Sequence, residues 1–229
     1  MKISVIIPAY NEEDVVVDTI DQVQRRSGNI VSEIIVVDGG STDRTVEHVQ
    51  KTSAKVITSA QKGRGAQMNA GAEQAQADIF YFLHADSIPP VGFDQQIIEA
   101  VSSEAKAGCF QLAFDDNHWL LRSYAWFTRF DVDTFRFGDQ SLFIDRDVFF
   151  TIGGFRDNHL LMEDNEIVRR IKSDCSFTIL EDAVVTSARS YRQVGVVKLQ
   201  LIFALIFTLY FLGVEQKTLV HIKEYILQQ

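Results

Sequence analysis

Carboxylates stand where short apolar runs end, and that placement is the first chemical signal in the chain. Asp38 closes the run Ile34 to Val37, Asp86 follows Ile79 to Leu83 through His84-Ala85, and Asp164 opens a stretch with Ile167, Val168 and Ile171 at helical spacing. A carboxylate at Asp38, fixed by neighbouring backbone N–H groups, suits hydrogen bonds from a base imide or ribose hydroxyls. One delivered to a sheet rim at Asp86 suits a hard divalent cation on a diphosphate, because such ions take oxygen ligands. Lys62 and Arg64 flank Gly63, and Gly65 follows, so the backbone admits a close ligand while two cations face a pyrophosphate. Pro8 and Ala9 offer backbone groups to a base and Tyr10 a ring, whereas Glu12 serves a ligand or merely the dipole of a following helix. The plainer readings are a turn aspartate for Asp38 and a solvated basic loop for Lys62 and Arg64.

Such residues act together only if strand ends gather them. Ile3 to Ile7, Ile34 to Val37, Val56 to Thr58 and Ile79 to Leu83 are apolar on both faces and bounded by Pro, Gly, Asp or Ser, which predicts parallel strands buried on two sides. Between them, Asn11 to Arg26 predicts a helix capped by Asn11, and Ser41, Thr42 and Asp43 start another. Strands alternating with helices make an α/β sheet whose ligands lie outside the carboxyl ends of the strands. Further on, the pattern predicts a helix from Phe93 to Val101, a strand from Gly108 to Phe114, a compact motif from Gly138 to Phe155, a helix from Glu163 to Lys172, and short strands to Ser187. The aromatic stretch Trp119 to Phe137, with Trp119, Tyr124, Trp126, Phe127 and Phe130, reads as core by its helical intervals, with stacking on a sugar or lipid as the alternative.

Of 229 residues 46% are hydrophobic and 23% charged, the balance of one globular domain. The formal net charge of −9, with no basic stripe, excludes a nucleic-acid partner that would need clustered Lys and Arg. Cys109 and Cys175 lack metal-ligand spacing and fit reduced thiols of a cytoplasmic protein. The first apolar run is too short for a signal peptide. Leu199 to Val214 carries no charge yet falls short of a spanning helix, so it packs on the domain, on a second subunit, or on a membrane surface.

Taken in order, PAYNEE (Pro8 to Glu13), VVDGGSTDRT (Val36 to Thr45), KGRGAQMNAG (Lys62 to Gly71) and HAD (His84 to Asp86) resemble the motifs of family 2 glycosyltransferases of the GT-A fold, in their short bacterial single-domain form. The resemblance implies a nucleotide-diphospho-sugar transferase fold over residues 1–192, a mostly parallel central sheet flanked by helices, with residues 193–229 as a C-terminal apolar helical segment. It implies transfer of one sugar, with inversion, from a nucleotide-diphosphate sugar such as a UDP-sugar to a hydroxyl of a sugar, lipid-linked or small-molecule acceptor. Asp86 would bind Mg²⁺ or Mn²⁺, and His84, standing where many relatives carry the first Asp of a DxD motif, would be a second ligand of the metal or else a packed, hydrogen-bonded imidazole. Asp164, in the Glu163-Asp164 pair, would be the general base, and Asp139, Gln140 and Glu163 would face the acceptor. The Q-x-x-R-W segment of processive relatives is absent, leaving Arg189 or Arg192 to clamp the pyrophosphate. A nucleotidyltransferase and a non-catalytic nucleotide-sugar binding protein are the alternatives. Peripheral contact with the inner face of a membrane, or a homodimer, would use the C-terminal apolar helix.

Overall fold

The computed structural model describes residues 1–132 and 138–227. Its N-terminal half alternates as expected: β1 (Ile3–Ala9), α1 (Val16–Arg26), β2 (Val31–Asp38), α2 (Thr45–Val49), β3 (Lys55–Thr58), α3 (Arg64–Gln74) and β4 (Ile79–Phe82). After β5 (Ser87–Ile88) and α4 (Phe93–Ser102) come β6 (Ala107–Phe114), α5 (Trp119–Phe127), a 3₁₀ turn (Gly138–Gln140), β7 (Leu142–Asp145), α6 (Arg146–Thr151), α7 (Glu163–Asp174) and β8 (Phe177–Thr186). Three helices end the chain: α8 (Arg189–Val194), α9 (Val196–Phe211) and α10 (Gln216–Leu227).

One eight-stranded sheet runs β3-β2-β1-β4-β7-β6-β8-β5. Strands β3, β2, β1 and β4 pair in parallel, as do β6 and β8, while β7 runs antiparallel to both of its neighbours and β5 antiparallel to β8. Alternate side chains of β1 feed two cores: Val5 and Ile7 meet Ile20 of α1 and Ile97 of α4, whereas Ile6 meets Met68 of α3 and Ile167 of α7. Burial on both faces is why the strands read as unbroken apolar runs. Gly71 lets α3 lie close to the sheet: a Cβ there would collide with Ile6 and stand 2.9 Å from Val37 Cγ2.

Several expectations change. Asn11 does not cap α1, which begins only at Val16. Asn11 instead takes φ 55° and accepts a hydrogen bond from Thr42 N at 2.8 Å, because the turn after β1 is stitched to the turn after β2. The strands expected before Ser187 are one strand, β8, and the motif from Gly138 to Phe155 holds a turn, a strand and a helix. The boundary after Arg192 falls inside α8, since Tyr191 packs with Leu121 of α5 and Leu199 of α9 in one cluster. Of the described aromatics in this stretch, Tyr124 is half-buried with its ring beside Phe114, and the others are not core. Leu121 and Thr128 are buried, while Trp119, Trp126, Phe127 and Phe130 are exposed on the other side. The end of that stretch, residues 133–137, lies outside the described residues. Cys109 and Cys175 are both free thiols.

The uncharged segment is covered on one side only. Leu199, Ile202 and Ile206 of α9 are buried, but Val197, Leu201, Leu205 and Leu212 form an exposed stripe. No helix among the described residues is long and apolar enough to cross a membrane.

Candidate active site

Parallel strands β1, β2 and β4 end side by side, and the turns after β1 and β2 are tied together before any ligand is considered. Glu12 N donates to Thr45 Oγ1 at 2.8 Å, and Glu13 N to Asp43 Oδ2 at 3.1 Å. Asp38, buried at the tip of β2, accepts from Gly40 N at 2.9 Å and from Ser41 N at 3.2 Å. A carboxylate offers about four acceptor positions, so this turn fixes Asp38 without exhausting it. Gln67 was not singled out by sequence, yet its buried amide donates to both Ala9 O and Val37 O at 2.8 Å and clamps the ends of β1 and β2. Ala9 O also accepts from Gly39 N at 2.9 Å, so its lone pairs are satisfied internally. Pro8 is buried beside Val37, whereas Tyr10 is exposed at the rim.

Glu12 is neither free nor a simple helix-dipole group. Its Oε2 lies 2.7 Å from Arg189 Nη2, joining the first turn to α8. Burial raises its pKa, and the Arg189 contact opposes that rise without cancelling it. The β5–β8 pairing makes this meeting possible: Ser87 Oγ donates to Thr186 Oγ1 at 3.1 Å, and Ser187 N donates to Asp86 O at 3.2 Å. Arg189 thus comes within electrostatic reach of Asp86. Arg192 is engaged elsewhere, forked on Asp115 with contacts of 3.0 and 3.1 Å. Of the two arginines considered as clamps, only Arg189 stands near the strand-end carboxylates.

From β4 the chain delivers His84 and Asp86 to the rim. His84 Nδ1 lies 3.2 Å from Asp139 Oδ1, and its Nε2 lies 3.5 Å from Arg64 Nη1. As arranged, neither ring nitrogen is free for a cation. Burial disfavours the imidazolium, but the Asp139 hydrogen bond and charge outweigh it and raise the His84 pKa. Burial would likewise raise Asp139, yet His84 and Arg64 hold it below the usual carboxylate range. Asp86 is raised, by burial first and by the Asp139 charge, with His84 opposing. Gln140, next in the turn, is buried and directs its amide toward Thr128 O at 3.5 Å.

The opposite wall is the start of α7. Glu163 is 2% exposed, and Arg64 Nε stands 2.9 Å from its Oε1 as an ion pair. The direction of that contact leaves neither Glu163 oxygen with a well-aligned hydrogen bond. Asp164 and His84 line one small cavity of about 20 Å³ with Ser141, Met68 and Phe155, room for about one water. Burial pushes the Asp164 carboxyl up to about 6, and Glu163 adds to the shift while Arg64 and His84 oppose it. His84 and Asp139 act electrostatically on both Asp86 and Asp164, so the two acids flank a shared His84–Asp139 pair. Lys62 is exposed in the loop before α3.

The α7 wall is held by groups that sequence reading passed over. Asn69 of α3 donates to Phe155 O at 2.7 Å and accepts from Phe155 N at 2.9 Å. Arg170 donates to Ile152 O at 2.6 Å and Gly154 O at 2.7 Å while paired with Glu166 at 2.6 Å. Gly153 and Gly154 take φ 81° and 62°, which favours glycine in this turn. The signal was faint: Gln67, Asn69 and Arg170 are polar residues of helices α3 and α7, and which of those helices' polar side chains turn inward is visible only once the helix face is known.

Among the described residues no three His, Cys, Asp or Glu side chains gather as a cation cage. The donor set fits a cation whose remaining ligands come from a bound diphosphate. Asp86 lies half-buried at the rim, and among the described residues no side chain forms an ion pair or hydrogen bond with its carboxylate.

Comparison with known proteins agrees with this arrangement. The family described as "Glycosyl transferase family 2" matches residues 4–159. Dolichol-phosphate mannosyltransferase of Pyrococcus furiosus is 32% identical over 108 residues, 45% of this chain and 31% of that protein. The matched stretch is thus less than half the length of this curated relative. TarS of S. aureus, solved with UDP, superposes with a TM-score of 0.69 at 16% identity over 82% of this chain and 60% of that one. Glucosyl-3-phosphoglycerate synthase from Mycobacterium tuberculosis, solved with Mn²⁺, UDP and phosphoglyceric acid, gives 0.59 at 17% identity over 81% of this chain and 69% of that one. At these identities the structures speak for the fold, which is GT-A. On the motifs, their convergence at one sheet edge and the match over residues 4–159, the chain belongs to glycosyl transferase family 2.

Proposed function

We propose that this protein transfers one sugar from a nucleotide-diphosphate sugar to an acceptor hydroxyl in a single displacement that inverts the anomeric centre. The carrying observation is Asp164, a buried carboxyl raised to about 6, set on a cavity beside His84 with Asp86 beyond the same pair. A base with a pKa near the working pH combines a large ionised fraction with a strong pull on the proton. Asp164 removes the proton of the acceptor hydroxyl as that oxygen attacks the anomeric carbon, and the diphosphate leaves from the opposite side. One displacement needs no covalent intermediate, hence inversion.

Asp38 and the backbone of the first turn hold the nucleoside, with Tyr10 beside the base. Lys62 and Arg64 face the diphosphate, and Arg189, tied to Glu12, adds a third positive charge near Asp86. Asp86 would hold Mg²⁺ or Mn²⁺, which supplies neutralisation of charge on the departing diphosphate. The TarS and glucosyl-3-phosphoglycerate synthase structures carry UDP, and one also Mn²⁺, which favours a UDP-sugar as donor. Asp139, Gln140 and Glu163 line the acceptor side. The exposed stripe of α9 would serve a peripheral membrane contact near a lipid-linked acceptor, at the inner face of a membrane, or a homodimer.

The test is product analysis with candidate UDP-sugars. Release of a nucleoside diphosphate with the inverted anomer is expected; release of pyrophosphate instead would identify nucleotidyl transfer. Asp164→Asn should lower turnover about 10²- to 10⁴-fold while donor affinity stays within about twofold, and an unchanged rate would remove Asp164 from the mechanism.

A further inference from the structure

Helix α10 lies outside the matched residues 4–159, yet one face of it is directed at the site. Gln216, Leu219, Lys223 and Leu227 recur at three- and four-residue intervals and form one stripe. Three of the four are anchored on the body. Gln216 Oε1 accepts from Leu160 N at 3.1 Å and Leu161 N at 3.0 Å, Leu219 is wholly buried, and Leu227 packs on the cluster of Leu121 and Tyr191. Helix α10 therefore runs from the loop before α7 to the α5–α8 cluster. Lys223 is the stripe's remaining member and so faces inward.

Lys223 is half-buried and has no ion pair or hydrogen bond among the described residues. The charges acting on it from other elements are Arg64 of α3 and Glu163 of α7, and burial and Arg64 lower its pKa. Its own-helix neighbour Glu224 is exposed. Two cations thus act on one buried carboxylate, Arg64 by direct contact and Lys223 electrostatically. Arg64 holds that carboxylate at 2.9 Å but keeps 44% of its side chain exposed at the mouth of the cleft, beside the loop that offers Lys62.

We infer that Lys223 is a positioning residue that takes over as counter-charge to Glu163 when Arg64 turns to the donor diphosphate. The inference rests on the donor-site reading above. Without a second cation, moving Arg64 onto a ligand would strand a buried carboxylate, and breaking a buried pair in that way is strongly unfavourable. With the stripe of α10 holding Lys223 inward and within electrostatic range of Glu163, the exchange would replace one ion pair by another and release Arg64 to the diphosphate. Glu163 stays neutralised next to Asp164, so its charge raises Asp164 no further as the donor binds. The C-terminal hairpin thereby becomes part of the donor response, although it contributes nothing to the sheet.

The test uses the full chain and titration calorimetry with UDP and GDP, with and without Mn²⁺. Wild type is expected to bind at least one of them. Lys223→Gln should weaken that binding about tenfold, the scale of one partly buried charge contact, and Lys223→Arg should retain most of it. The decisive variant is Glu163→Gln combined with Lys223→Gln. Once Glu163 is neutral no counter-charge is needed, so the double variant should bind several-fold tighter than Lys223→Gln alone. Glu163→Gln alone frees Arg64 and sets the reference: on that background Lys223→Gln should no longer weaken binding, whereas a lysine that merely props the fold would weaken it equally in both backgrounds, which would overturn the inference. Equal affinity of Lys223→Gln and wild type, or a double variant no tighter than Lys223→Gln, would overturn the inference and leave the donor site intact. Wild type binding neither diphosphate would instead overturn the donor-site reading and the inference with it.

Discussion

If Asp164 is the base, the rate must follow its ionisation, and its neighbours dictate how mutations move that dependence. Burial and Glu163 raise the carboxyl to about 6, while Arg64 and His84 oppose them. With a pKa near 6, roughly nine-tenths of the molecules carry the ionised base at pH 7 and only about one-tenth at pH 5, so activity falls about tenfold per pH unit below that. Two substitutions should then displace the acidic limb in opposite directions. Glu163→Gln removes a negative charge and moves it to lower pH; Arg64→Met removes a positive charge and moves it to higher pH. Each displacement should be on the order of one unit, about 1.4 kcal/mol between the two protonation states. The assay is release of nucleoside diphosphate from the donor across pH 4.5 to about 8.5, with water as acceptor. Donor concentration is raised for Arg64→Met, so that weakened binding does not masquerade as a pH effect. A limb at the ordinary carboxylate position near 4, or both variants moving the same way, would refute the assignment.

Other consequences can be measured independently. Asp86→Ala should abolish the Mn²⁺- or Mg²⁺-dependent part of donor hydrolysis while leaving the thermal midpoint within about 2 °C, since no other residue's side chain depends on it; metal-dependent hydrolysis that persists would count against the cation role. Asp164→Asn should raise the thermal midpoint by a few °C at pH 8 and by much less at pH 4.5. The folded-state pKa is raised, so the stability tied to the protonated carboxyl is full below the unfolded value and lost as pH rises through about 6. Gly71→Ala should destabilise by about 1–3 kcal/mol in urea titration, because its methyl has nowhere to go between Ile6 and Val37. Leu201→Glu with Leu205→Glu should reduce co-sedimentation with anionic vesicles at unchanged folding stability; equal binding would dismiss the α9 stripe as a lipid contact.

The division between what was legible in the chain and what was not follows the range of the forces involved. The parallel half of the sheet, its two-sided core and the strand-end positions of Asp38 and Asp86 are local consequences of apolar runs cut short by turn residues, and so is Asp164 at a helix start. Sequence alone could therefore name the acids. Their partners were beyond it, because each comes from far along the chain: Arg189 reaches Glu12 only through the β5–β8 pairing, Asp139 reaches His84 only once β7 lies beside β4, and Lys223 is brought round by α10. The sequence also overstated two local signals. Trp119, Trp126 and Phe127 of α5 have helical spacing but face outward, with Tyr124 alone among the described aromatics of that helix turned toward Phe114, and Asn11 has a capping side chain used instead to join two turns. Residue types and periodicity determine which groups stand at strand ends. Which charges face one another, and hence whether Asp164 is an ordinary acid or a base near neutrality, is decided by burial and contacts that exist only after the chain has closed on itself.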